Sequence, residues 1–155
     1  MSRILLGIGD LAATPTRGET IYTLALGSCV AVVLRCRFSG AVGMVHIALP
    51  TGSSPARPGY YADTGIPLLM EAMTRVGGAP KTMDVTLVGG ASVISPLESF
   101  NIGKRNLLAA RKCLWRFGLG VLTEDVEGEI SRTVSATVGE KGVQVSNPTR
   151  GTWTI

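Results

Sequence analysis

Between positions 20 and 49 the chain carries three nearly continuous runs of β-branched and aliphatic residues, at 20–26, 30–36 and 41–49. Runs of strand length with unbroken apolar character read as strands covered on both faces. Gly27-Ser28 separates the first two, and Arg35-Cys36-Arg37-Phe38-Ser39-Gly40 is short enough for a hairpin return between the second and third. In an antiparallel pair the start of one strand faces the end of the other. Cys29, at the head of the second run, is therefore expected beside His46, near the tail of the third.

The remaining chain is punctuated in a way that suits layers around this hairpin. Residues 3–8 read as a strand closed by Gly7-Ile8-Gly9-Asp10. That GxG has no third glycine, no Lys-Ser/Thr pair and no helical pattern after it, so it reads as a turn rather than a phosphate loop. Residues 11–19, with Pro15 and Gly18, read as a loop, and the Gly-, Pro- and Ser-rich 51–61 as a surface loop that can border a site. Ile66, Leu69, Met70, Met73 and Val76 fall at helical spacing. Asp63 is the expected N-cap, and Pro67 places the helix start close to Thr64. A strand at 82–88 runs into Gly89-Gly90-Ala91, where the backbone has to turn or approach something closely. A second helix opens at Ile102-Gly103-Lys104-Arg105-Asn106, with Leu107, Ala110, Leu114 and Phe117 as its apolar stripe and Gly118 as its cap. Strands follow at 121–124, 130–138 and 143–146, and Ser131, Thr133, Ser135 and Thr137 alternate as one wet face. Two helices and about seven strands give an α/β (α+β) class, a mixed sheet carrying both main helices on one face.

With 155 residues, no internal repeat and no linker, residues 1–155 are expected to form one domain. The charge of +4 comes from 15 Lys and Arg against 11 Asp and Glu, and aromatics are 5%. Nucleic-acid binding brings clustered cations with stacking aromatics; here the densest basic stretch, Lys104 to Arg116, lies along the second helix, so nucleic acid is set aside. Charged residues are only 17%, which leaves apolar surface for a partner. No apolar stretch is long enough for a membrane span or a signal h-region. Three cysteines without an export signal argue for reduced thiols in the cytoplasm. A single histidine and no CxxC pair argue against a zinc site.

A thiol needs a base or a nearby positive charge to become a useful nucleophile at neutral pH. His46 is the only side chain here whose unperturbed pKa lies near neutrality, so any Cys-His chemistry has to use it. A hydroxyl such as Thr23 can orient the imidazole, and backbone N–H groups around Gly27, Ser28 and Cys29 can stabilise an oxyanion. The residue types alone leave a second reading open, in which Cys29 is a core thiol and His46 a structural residue. Cys36 and Cys113 are expected to be buried, and Tyr60, Tyr61 and Asp63 to serve loop packing and capping.

Thr23-x-x-x-Gly27-Ser28-Cys29-Val30, followed by Gly43-Met44-x-His46-x-x-Leu49-Pro50, resembles the chemoreceptor glutamine deamidase (CheD) family of bacterial chemotaxis. The resemblance continues through Tyr61-Ala62-Asp63, Gly89-Gly90-Ala91-Ser92, Asn101-Ile102-Gly103-Lys104-Arg105-Asn106 and Glu124-Asp125. It implies a layered α/β/β sandwich and a protein-glutamine deamidase that converts particular glutamines of methyl-accepting chemoreceptors to glutamate. It implies a Cys-His-Thr triad, whose roles fall on Cys29 as nucleophile, His46 as base and then acid, and Thr23 as the group orienting His46. No cofactor is implied. Some relatives bind and stimulate a CheC-type phosphatase, so a regulatory binding module is the alternative, with another Cys-His hydrolase further off. Two departures stand out. Ala25 replaces the first glycine of the relatives' Gly-Leu-Gly-Ser-Cys, with little effect expected. A Gly-Gly-x-x-x-Arg stretch reads Glu127-Gly128-Glu129-Ile130-Ser131-Arg132, with one glycine lost and the arginine in question.

Overall fold

The computed structural model describes residues 2–92 and 101–155. Among these residues ten strands form two five-stranded sheets, and two α-helices cover one of them. In chain order the strands are β1 (Arg3–Leu6), β2 (Leu11–Thr14), β3 (Thr20–Leu26), β4 (Val30–Cys36), β5 (Val42–Ile47), β6 (Met83–Gly89), β7 (Thr123–Val126), β8 (Arg132–Thr137), β9 (Gln144–Asn147) and β10 (Gly151–Thr154). Helix α1 spans Ala62–Arg75 and α2 spans Ile102–Arg116. The first sheet runs β1-β3-β8-β9-β10 and the second β2-β5-β4-β6-β7, each with one parallel pair and otherwise antiparallel neighbours.

Strand parity divides the apolar side chains between two cores. Val30, Val32 and Leu34 of β4 and Val45 and Ile47 of β5 pack with Ile66, Leu69 and Met73 of α1 and with Leu107 and Leu114 of α2. The alternate residues, Ala31, Val33, Val42 and Met44, pack against Leu6, Ile21, Leu26 and Val134 of the other sheet. The order of layers is thus helices, sheet, sheet. Strand β5 is buried throughout, and β4 and β6 are buried except at Arg35 and Asp84, because these central strands have a layer on each face. Strand β8 alternates buried and half-buried residues, with Thr133, Ser135 and Thr137 on its outer side, as the alternation in sequence predicts.

Several elements differ from the sequence reading. Residues 11–14 form an edge strand on β5 rather than a loop, and β10 was not anticipated. Both have four residues and present little of the apolar alternation that marks longer strands. Strand β3 is covered on one face only and lies in the sheet opposite β4, so Leu24 is exposed. Helix α1 begins at Ala62 with Tyr61 as N-cap, and no side chain caps it. Asp63 lies in its first turn and accepts the Gly52 N–H at 3.2 Å. Pro67 is therefore inside the helix, where its missing N–H would have bonded the Asp63 carbonyl.

A bulge in β3 sets the position of Thr23. The β3–β8 register shifts between Thr23 and Leu26, and both residues point inward although they are an odd number of positions apart. The extra residue is absorbed at Ala25, whose φ of +51° lies in the left-handed region. That conformation costs an L-residue about 1–2 kcal/mol, and glycine's added unfolded-state freedom offsets about half of the relief. Ala25→Gly is expected to stabilise the protein by about 0.5–1 kcal/mol, read from the urea midpoint at unchanged m-value. The other departure has the same character: Glu127 stands at φ +65°, before Gly128 at +73°. The arginine of that pattern is present. Arg132, buried on β8, donates to Asp125 of β7 at 2.7 Å and to the Glu127 carbonyl at 2.8 Å, tying the two sheets together.

Candidate active site

The hairpin of β4 and β5 sets Ala31 opposite His46 and ends at the pair Val30–Ile47. Cys29 lies one residue beyond that pair and shares the inward parity of Ala31. Cys29 and His46 are thus diagonal neighbours on the face that meets the other sheet. In a regular ladder such positions are about 7–8 Å apart at the backbone, within reach of an imidazole. Thr23 arrives from across that interface. It is paired with Leu6 of β1 and fully buried, and its Oγ1 lies 2.6 Å from His46 Nδ1. The hydroxyl comes from the facing sheet rather than from a neighbouring strand, so the two sheets meet at one imidazole.

The protons in this cluster can be assigned. Thr23 Oγ1 donates to the Leu6 carbonyl at 2.7 Å, and a carbonyl can only accept. The hydroxyl's one proton is thereby committed, so it is His46 Nδ1–H that donates to Thr23. The imidazole is the Nδ1–H tautomer, and Nε2 keeps its lone pair. Nε2 is buried and has no protein partner among the described residues. The backbone of His46 is fixed as well: its carbonyl accepts Gly9 N–H at 2.8 Å and its N–H donates to the Asp10 carbonyl at 3.1 Å. The Gly7–Asp10 turn therefore serves to hold His46.

Burial sets the charge state. Desolvation pushes His46 down to about 4, with the Asp10 carboxylate working weakly against it. Desolvation pushes the Cys29 thiol above its ordinary value, opposed by its own backbone N–H. The resting pair is a neutral thiol and a neutral imidazole rather than an ion pair. The linkage is measurable. Between pH 6.5 and about 4 the unfolded chain binds a proton that folded His46 does not. This group's contribution is complete above pH 6.5 and is lost as pH falls through about 4. Within that window the stability of the wild type is expected to decline by up to about 1.4 kcal/mol per pH unit more than that of His46→Asn, measured by urea unfolding.

Cys36 and Cys113 are buried among core residues with no imidazole near them, as expected. Burial of Cys36 is outweighed by hydrogen bonds from Ser39, Phe38 and Thr82, which hold its thiol down to about 7. A lowered pKa without a base or an entrance is not a catalytic site. Tyr60 and Tyr61 stack edge to face at 5.3 Å beside the β5 end, in the packing role expected of them.

A family model described as CheD chemotactic sensory transduction matches residues 48–147. A probable chemoreceptor glutamine deamidase CheD of Syntrophotalea carbinolica is 45% identical to this chain over the full length of both. The chain belongs to the CheD family. A chemoreceptor glutamine deamidase CheD of Thermotoga maritima is 38% identical over 84% of this chain and 82% of its own length. A further probable CheD deamidase, from Desulforamulus reducens, is 38% identical over 86% and 83%. The residues matched by the CheD model begin two positions after His46, so the grouping of Thr23, Cys29 and His46 rests on the geometry above.

The CheD-like motifs away from Thr23, Cys29 and His46 turn out to hold the cysteine loop. Gly89, at φ +111°, approaches so closely that an added Cβ would lie 2.2 Å from the Cys29 carbonyl oxygen. Gly90 N–H donates to Cys29 O and Ala91 N–H to Gly27 O, each at 2.9 Å. Gly103 packs its bare Cα on the Gly90-Ala91 segment in turn: a Cβ there would stand 2.4 Å from the Gly90 oxygen. Asn106, fully buried on α2, donates to the carbonyls of Ser28 at 2.9 Å and Ala48 at 3.0 Å. Sequence reasoning did not single out Asn106 as functional. The signal was present, since it is the one polar residue among the inward positions 103, 106, 107, 110, 113 and 114 of α2.

Proposed function

We propose that the protein is a chemoreceptor glutamine deamidase, hydrolysing the side-chain amide of glutamines on methyl-accepting chemoreceptors with Cys29 as nucleophile. The observation that carries this reading is the Thr23–His46 hydrogen bond, which leaves a buried Nε2 lone pair on the same face as the thiol. The names of the CheD relatives supply the substrate class.

In this reading the thiol proton passes to His46 Nε2 as sulfur bonds to the amide carbon, and the carbonyl π pair moves onto oxygen. The imidazolium that forms strengthens its Nδ1–H bond to Thr23. Backbone N–H groups of the Gly27-Ser28-Cys29 loop hold the oxyanion. Collapse breaks the C–N bond while His46 returns its proton to the departing nitrogen, releasing ammonia and leaving a thioester. Water then gives a proton to Nε2 as it attacks, the C–S bond breaks, and glutamate leaves with the thiol restored.

Incubation with a receptor cytoplasmic fragment is expected to release ammonia and to add about one dalton at each modified glutamine, read by peptide mass mapping. Protein that leaves every receptor glutamine intact would overturn this reading. A CheC-type phosphatase stimulated by such inert protein would favour the regulatory module instead.

A further inference from the structure

The three consecutive carbonyls of the cysteine loop are each held by a donor outside the loop. Gly27 O accepts Ala91 N–H, Ser28 O accepts the Asn106 side-chain amide, and Cys29 O accepts Gly90 N–H. Only one of these donors is a side chain. The β4–β5 ladder ends at Val30–Ile47, and Ser28 and Ala48 lie just past it, where the strands have lost their own pairing. The two N–H bonds of Asn106 bridge them, one to each strand. A primary amide is the compact group that offers two donors on one nitrogen.

The consequence for the site follows from peptide geometry. In a planar trans peptide the C=O and N–H bonds point to opposite sides, and no described peptide here is cis. Ser28 O is drawn toward α2, in the helix layer. The N–H of the same peptide, which belongs to Cys29, is turned away from α2, to the side that His46 faces. Among the described residues that N–H has no oxygen acceptor.

We infer that Asn106 is a positioning residue that aims the Cys29 N–H at the oxyanion of the tetrahedral intermediate, acting through the Ser28 carbonyl without touching substrate. The inference rests on the thiol mechanism proposed above and narrows its oxyanion donors to one chosen N–H, set from the far side of the sheet. Asn106 Oδ1 has no hydrogen-bond partner among the described residues, which suits a residue kept for its two donors.

Three reactions of Cys29 separate this role from a structural one. Deamidation and acylation by p-nitrophenyl acetate both pass through a tetrahedral oxyanion. In the second, sulfur adds to the ester carbon and p-nitrophenolate leaves with the bonding pair, giving an acetyl thioester. Alkylation by iodoacetamide displaces iodide at a saturated carbon and forms no oxyanion. Asn106→Asp keeps the shape and removes the donors; Asn106→Leu also removes the unpartnered Oδ1, which favours folding. In both variants kcat for deamidation is expected to fall about 10²-fold with KM within about threefold, and acylation to fall at least about tenfold. Alkylation, read at Cys29 by peptide mapping to separate it from Cys36, is expected to stay within about threefold. A parallel fall in all three reactions, or unchanged deamidation and acylation, would overturn the inference. Wild-type protein that leaves receptors untouched, yet whose acylation alone depends on Asn106, would remove the deamidase reading and keep this one.

Discussion

Cys29→Ala is expected to lower receptor deamidation by about 10⁴-fold or more, with ammonia release and glutamine mass as the two readouts. The size follows from what is removed. Without sulfur no covalent intermediate forms, and water would have to attack an unactivated amide with only the oxyanion donors to help. His46 keeps its bond to Thr23 in this variant, so its readiness as a base is unchanged. Folding should survive, because Cys29 is half-buried at the edge of the inter-sheet core and alanine leaves no large void there. Cys113→Ala, which trims a buried thiol on α2 far from any imidazole, is expected to keep kcat within about threefold. Equal losses in the two variants would assign the defect to general destabilisation, and activity surviving in Cys29→Ala would take the cysteine out of the mechanism.

Gly103→Ala is the largest expected effect on stability, and two opposing terms decide its sign. Gly103 lies in the first turn of α2, where alanine gains at most about 1 kcal/mol over glycine in propensity. Against this, the new Cβ would stand 2.4 Å from the oxygen and 2.6 Å from the carbon of Gly90, and 3.0 Å from the Ala91 oxygen. These are backbone atoms, held by hydrogen bonds to the cysteine loop, and cannot rotate aside. Overpacking of this kind costs about 3 kcal/mol, so a net loss of about 2 kcal/mol in urea unfolding is expected. The neighbouring exposed Lys104→Ala should change stability by no more than about 0.5 kcal/mol. Because relief of the clash displaces Gly90, whose N–H holds Cys29 O, the glycine variant should also lose deamidation out of proportion to its stability. A Gly103→Ala protein as stable as the wild type would mean that α2 shifts freely on the loop.

How much of this was legible in the chain depends on the range of the interactions concerned. The β4–β5 hairpin, and with it the approach of Cys29 to His46, follows from short-range features: two strand-length runs and a return too brief for anything but an antiparallel pair. The two helices were legible from periodicity, although Pro67 misled the start of α1, which begins two residues earlier than proline tolerance suggests. Strands β2 and β10 were not legible, since four residues carry little pattern and their pairing is settled by a neighbour distant in sequence.

By itself the sequence determined which side chains are available for chemistry and that one thiol and the sole histidine would meet, because hairpin pairing is a local consequence of strand length and turn length. Only the tertiary structure decided that Thr23 reaches His46 from the opposing sheet, since one-residue parity, a bulge at Ala25 and the stacking of two sheets together determine that contact. It also decided that Asn106 and the glycines 89, 90 and 103 belong to the cysteine loop. Their roles arise from close approach between segments far apart in the chain, and close approach is a property of packing that no local pattern records.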